Sequence, residues 1–157
     1  MPINSCKLRI KVDAYPDADF AGTYWHKNPD DPTCAKSRTG FIITFADFPV
    51  LWIYKLQTKT ALSTMEVETI TIAYGCREMF PIINITKYIG KSVGLSVGVP
   101  SMILSVHEYK SDALTLSGTF PLKFTPHSKY YETKTIWFCD EINKSNIALL
   151  KIATVEQ

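Results

Sequence analysis

The apolar residues of this chain first change their spacing near Ser63, and that change limits the folds open to it. Before it they come in short, strand-length runs. From Leu8 to Tyr15 they alternate, with Leu8, Ile10 and Val12 on one side and Arg9, Lys11 and Asp13 on the other. A period of two marks a strand, and Pro16 is expected to close it. Residues 21–37 are rich in Asn, Asp, Pro, Thr and Ser and read as a loop. Gly40 to Ala46 is a second strand, rich in Ile and Phe. Asp47-Phe48-Pro49 is a turn candidate and Val50 to Lys55 a third strand, close enough to the second to form a hairpin.

After Ser63 the spacing becomes helical. Ser63 and Thr64 are candidate N-caps, and Glu66 and Glu68 stand in the first turn, where carboxylates suit the helix dipole. Ile72, Cys76, Met79, Phe80 and Ile83 form one apolar stripe. Pro81 is expected to kink or split this helix, because it lacks an N–H and crowds the preceding turn. A glycine-rich connection follows from Gly90 to Pro100, then a strand over Ser101 to Val106. A short helix includes Ala113 to Leu116, a longer one spans Ser128 to Asn143, and a last strand covers Ile147 to Ile152. Strands that give way to alternating helices and strands point to an α/β domain, a mixed sheet covered by helices.

The length of 157 residues fits one domain. With 46% hydrophobic and 20% charged residues the chain can bury a core and is not of disordered type. The net charge of +2 neither requires nor excludes a nucleic-acid partner. No apolar run approaches the ~20 residues of a membrane span, and no secretory signal opens the chain. Cys6, Cys34, Cys76 and Cys139 lack paired spacing, so they read as reduced thiols of an intracellular protein.

Three segments can carry chemistry. Tyr15-Pro16-Asp17-Ala18-Asp19-Phe20-Ala21-Gly22 puts two acids at the end of the first strand. Ala61-Leu62-Ser63-Thr64-Met65-Glu66-Val67-Glu68 puts two more at a helix start. His107-Glu108-Tyr109-Lys110-Ser111-Asp112-Ala113-Leu114 follows the fourth strand. Carboxylates gathered from such places can hold two divalent metals that clamp the oxygens of a phosphodiester. Acids in such places are also commonly just solvated or capping. Other groupings are poorer. His26 and Cys34 lack further ligands for a metal. Cys139 with His107 or His127 only loosely mimics a nucleophile pair. Gly90, Gly94 and Gly98 are too widely spaced for a phosphate loop. Trp25, Trp52 and Trp137 could stack on bases, but Trp52 and Trp137 are expected in the core.

Asp17 to Gly22, Ser37-Arg38-Thr39-Gly40-Phe41, Trp52 to Gln57 and Ala61 to Glu68 resemble the ribonuclease H segment of copia-type retrotransposon Pol polyproteins. So do His107-Glu108, Ala113-Leu114, Phe124-Thr125-Pro126 with Ser128-Lys129, and Lys134-Thr135-Ile136-Trp137-Phe138. The likeness runs in order from about Leu8 to Gln157, after a short tail over residues 1–7. It implies an RNase H-like fold, a five-stranded mixed sheet flanked by helices, with catalytic acids at one end. The implied activity is hydrolysis of the RNA strand of RNA–DNA hybrids by four carboxylates and two magnesium ions. A contact with a reverse transcriptase domain is implied as well.

The family's first acid falls on Asp17 and its second on Glu68, leaving Asp19 and Glu66 without a metal role. The third belongs where Tyr109 stands, and Lys110 replaces the Asn that usually follows. The fourth belongs to a segment beyond Gln157, so a domain without its C-terminal segment is expected. His127, Tyr130 and Cys139 also depart from the family pattern. Asp112 is a candidate substitute ligand, displaced from the third position. The expected function is a ribonuclease H remnant that no longer cleaves but still binds nucleic acid. The rivals are an active nuclease that uses Asp112 and a non-catalytic protein-interaction module.

Overall fold

A computed structural model of the chain describes residues 9–22, 28, 30–31, 33–94, 102–108, 137 and 140–152. Five strands and a long helix dominate: β1 (Ile10–Asp19), β2 (Arg38–Phe45), β3 (Phe48–Leu56), α1 (Thr64–Ser92), β4 (Met102–Glu108) and β5 (Ala148–Lys151). Residues 140–145 form a shorter helix, α2. The strands make one sheet in the order β3-β2-β1-β4-β5. β1, β2 and β3 are antiparallel neighbours. β4 runs parallel to β1, and β5 parallel to β4. The mixed sheet expected from the sequence is therefore present.

β2 and β3 join through a two-residue turn. Ala46 and Asp47 both have positive φ, at 50° and 67°, which suits the twist of a tight hairpin. The turn thus lies one residue before the expected Asp47-Phe48-Pro49. A register shift between Ile43 and Thr44 marks a bulge, with Ile43 facing Leu51 and Thr44 facing Pro49.

The core lies between the sheet and α1. Val12, Ala14, Phe41, Ile43, Met102, Leu104 and Val106 meet Ile72, Cys76, Met79 and Ile83, the stripe read from the sequence. Ile142 of α2 and Ile147 complete it. Gly75 brings α1 close to the sheet, because a Cβ there would meet the Phe41 side chain at 3.7 Å.

Pro16 does not close β1, and Pro81 does not split α1. β1 continues through Pro16, which faces Phe41 of β2. Its pairing with β4 ends earlier, at Ala14 and Val106, so the missing N–H removes none of those ladder bonds. α1 is not split at Pro81 and runs 29 residues. The ring sits on an exposed position, while Met79 and Ile83 on either side are buried and hold the helix to the sheet.

Both tryptophan expectations fail as well. Trp52 is 71% exposed and Trp137 39%. Trp52 alternates with the inward Leu51 and Ile53 on an edge strand, so its ring points to the uncovered side. Trp137 meets Phe80 edge-on, with ring centroids 6.1 Å apart. The short helix at Ala113–Leu116 and the tail over residues 1–7 lie outside the described residues, as does most of the expected Ser128–Asn143 helix. No helix among the described residues is long and apolar enough to cross a membrane.

Candidate functional site

The start of α1 is fixed by local chemistry. The Ser63 side chain accepts a bond from the Glu66 amide at 3.2 Å, and the Glu66 carboxylate accepts one from the Leu62 amide at 2.7 Å. Two amide donors at the helix entrance are thereby satisfied reciprocally. Glu66 is thus a capping residue, in keeping with its having no assigned metal role.

A buried polar staple then ties this end of α1 to the sheet. Gln57 Nε2 donates to Thr39 Oγ1 at 3.0 Å and to the Val67 carbonyl at 3.3 Å. Thr71 Oγ1 donates to the same carbonyl at 2.9 Å and lies 3.1 Å from Thr39 Oγ1. Thr39 faces Ala18, next to Asp17. The first turns of α1, with buried Glu68, are therefore held at the sheet end where β1 delivers Asp17. Sequence reasoning misses this staple, whose one visible sign is a Thr and a Gln at strand ends.

Asp17 is exposed and pairs with Gly40. It shares a strand face with Asp13 and Tyr15, opposite the Val12 and Ala14 face that packs under α1. Asp19 plays a structural part, because its carboxylate fills the space that a Cβ on Gly22 would need. The Ala21 amide, at a φ of 49°, donates to Ser37 Oγ at 3.2 Å and sets the chain's exit from β1.

Behind Asp17 lies a group that sequence alternation misassigns. Asp13 reads as a solvent-side residue but is fully buried. His107 Nε2 lies 2.9 Å from its Oδ1, and Lys11 Nζ 3.0 Å from its Oδ2. The Asp13 carboxylate, by hydrogen bond first and by charge second, raises the Lys11 pKa above its usual value. The His107 ring stacks on Tyr15, with centroids 4.6 Å apart and planes within 10°. His107 therefore braces β1 against β4.

Glu108, on β4, is buried and shares its strand face with Leu104 and Val106. It therefore faces away from the side that carries Asp17, as expected for the neighbour of the third acid position. Tyr109, Asp112, His26, His127, Cys139 and Trp25 lie outside the described residues. Cys34 is buried. Among the described residues no three His, Cys, Asp or Glu side chains are grouped to hold a metal ion.

No protein-family model matches the chain. Among curated proteins it is 28% identical over 142 residues to the retrovirus-related Pol polyprotein from transposon TNT 1-94 of Nicotiana tabacum. That match covers 90% of this chain, which spans only 9% of the relative's length. Among solved structures it is similar to LC11-RNase H1, isolated from compost by a metagenomic approach. The TM-score is 0.53 at 12% identity, over 92% of this chain and 85% of that one. That likeness carries the fold, and the Pol polyprotein carries the sequence kinship. The chain has an RNase H-like fold and is similar in sequence to a retrotransposon Pol polyprotein.

Proposed function

We propose that this domain binds RNA–DNA hybrid without cleaving it. One observation carries the reading. Each β1 residue from Ile10 to Ala14 faces the β4 residue 92 positions later. The same separation, counted from Asp17, reaches position 109, and that residue is Tyr109. The paired ladder ends at Ala14 and Val106; its spacing, carried three positions further, supports the motif alignment, in which the third metal-binding acid has become a phenol.

The donor set does not fit the magnesium pair that such a domain uses. Magnesium takes oxygen ligands at ~2.0–2.1 Å in near-ideal octahedra, held by carboxylates. Asp17 and Glu68 supply two carboxylates, and a neutral tyrosine replaces a third. Asp112 comes three residues later. In a helix that offset is about 5–6 Å, too far to replace a ligand without a shift of the backbone. No hydrolytic step is therefore assigned to the chain.

Binding makes different demands. Hybrids are held largely through phosphates and 2′-hydroxyls, and the loss of an acid lowers repulsion toward phosphate. The test is a labelled hybrid incubated with purified protein and magnesium or manganese, alongside a binding titration across salt. The expected outcome is no cleavage above background and an affinity that falls steeply with salt. Cleavage that Asp17→Asn abolishes would overturn the reading. Absence of hybrid affinity at low salt would favour a protein-interaction module instead.

A further inference from the structure

The side of the sheet away from α1 carries an apolar strip on its free edge. Trp52, Tyr54 and Val50 of β3 and Ile42 of β2 are 71%, 67%, 48% and 46% exposed. Ile42 faces Trp52 across the ladder. Gly40 keeps the strip continuous: a Cβ there would meet the Tyr54 ring at 3.3 Å. No charged residue of β2 or β3 lies within it between Asp47 and Arg38, and Asp17 of β1, across from Gly40, borders it. Lys55, the one ionisable cation of β3, turns to the other face, with Nζ 3.7 Å from the Tyr74 ring centroid.

We propose that this strip is the contact between two copies of the chain, packed sheet to sheet about a two-fold axis at Trp52. Three features favour a second copy. The first is area. Trp52 and Tyr54 would bury about 150–250 Å² each if fully covered; at their exposures, with Ile42 and Val50, the strip offers on the order of 500 Å². A standard interface buries about 800 Å² per partner, so a polar rim of ordinary width completes a small dimer interface.

The second feature is the placement of charge. Asp47, 79% exposed at its side chain, stands at one end of the strip. Arg38 stands at the other, paired with Leu56, its guanidinium 5.1 Å from the Tyr54 ring centroid. A two-fold axis at Trp52 brings Asp47 of each copy toward Arg38 of the other. Lys11 is engaged by Asp13 at 3.0 Å and also lies 3.6 Å from Asp47, an exposed pair weak enough to be exchanged for one across the interface, and Asp19, the ladder partner of Arg38, lies on β1, one strand farther from the strip.

The third feature is spacing. The bulge takes one residue out of the ladder between Pro49 and Leu51. Asp47 and Leu56, the ladder partner of Arg38, therefore lie equally many ladder positions from Trp52. A face that maps onto itself is what an isologous dimer requires.

The test is sedimentation equilibrium of the purified chain and two charge variants, Asp47→Lys and Arg38→Asp. Wild type is expected to dimerise reversibly, with a midpoint at or below about 0.1 mM. Each variant alone should dimerise at least ~10-fold more weakly, because like charges meet at both ends. An equimolar mixture should recover the wild-type affinity, since both ends then pair opposite charges. Trp52→Glu, at an exposed position, should be monomeric with an unchanged circular dichroism spectrum. A wild-type chain that is monomeric at about 0.1 mM would overturn the proposal, whether the strip then served another protein or another part of this chain. A mixture that dimerises no better than its components would overturn it too.

Discussion

His107 Nε2 lies 2.9 Å from Asp13 Oδ1, joining β4 to β1 across 94 residues of sequence. The carboxylate is fully buried, so its charge depends on the two cationic or donating groups that reach it. His107→Ala should cost about 1.5–3 kcal/mol, the range for a hydrogen bond to a charged group. Lys11→Met should cost less, because the ammonium is exposed. In an Asp13→Asn background His107→Ala should cost clearly less than in wild type. Urea unfolding of this cycle measures the coupling. A coupling below about 0.5 kcal/mol would mean that the two residues do not act as a pair.

Ser63 and Glu66 close the entrance of α1 together. Ser63→Ala should destabilise by about 1 kcal/mol, the usual cost of losing an N-cap. Glu66→Ala should cost less, since the Leu62 amide it serves is exposed. The double variant should cost less than the two losses added, because one frayed turn removes both bonds. Amide hydrogen exchange at Glu66 should speed up in each single variant while Met79 stays protected. Uniform loss of protection along α1 would contradict a local cap.

Burial pushes the Cys76 thiol from 9.0 up to about 12. In the unfolded chain this thiol ionises near its ordinary value, so the unfolded state loses its proton first. The stability tied to the neutral thiol is fully present below pH 9 and is lost as pH rises toward about 12. The slope should approach about 1.4 kcal/mol per pH unit. Cys76→Ala removes that slope and, at neutral pH, leaves a small cavity. Urea unfolding at several pH values should show wild type and variant converging above pH 9. Parallel lines would mean that the folded thiol ionises as easily as a free one. At neutral pH iodoacetamide should label Cys76 only as fast as the protein unfolds.

Much of this fold is legible in the sequence because its signals are local. Alternation marks β1, Ile and Phe content marks β2, short hairpin spacing marks β3, and the Ile72–Ile83 stripe marks α1. What failed depends on what lies across from a residue. Asp13 alternates with apolar neighbours, yet β1 is a central strand and its polar side chain is covered too. Trp52 has a core residue's chemistry but stands on an edge strand with its ring on the open side. Pro16 and Pro81 are breakers by type, but each sits where pairing or burial on either side carries the element through. Of the candidate acids, Asp17 stands near the end of β1 and Glu68 in the first turns of α1. The Gln57–Thr39–Thr71 staple that ties α1 to the sheet joins residues too far apart in sequence to be read.

The last prediction concerns Tyr109, whose register with Asp17 underlies the proposed loss of cleavage. Tyr109→Asp should restore a carboxylate beside Asp17. Binding of one manganese ion should then tighten by at least tenfold, about 1.4 kcal/mol. Asp17→Asn in the same chain should erase the gain, because groups that share an ion act as one unit. Cleavage should stay at background, since two-metal hydrolysis needs both ions clamped. Calorimetric manganese titration of wild type, each single variant and the double variant measures this directly. The positions around Asp17 serve as controls. Asp19→Asn should leave metal binding unchanged, because that carboxylate packs against Gly22, and Glu66→Gln should do the same, because that side chain caps α1. If Tyr109→Asp binds manganese no better than wild type, or gains affinity that survives Asp17→Asn, position 109 does not face Asp17. The proposed account of the missing cleavage would then be wrong.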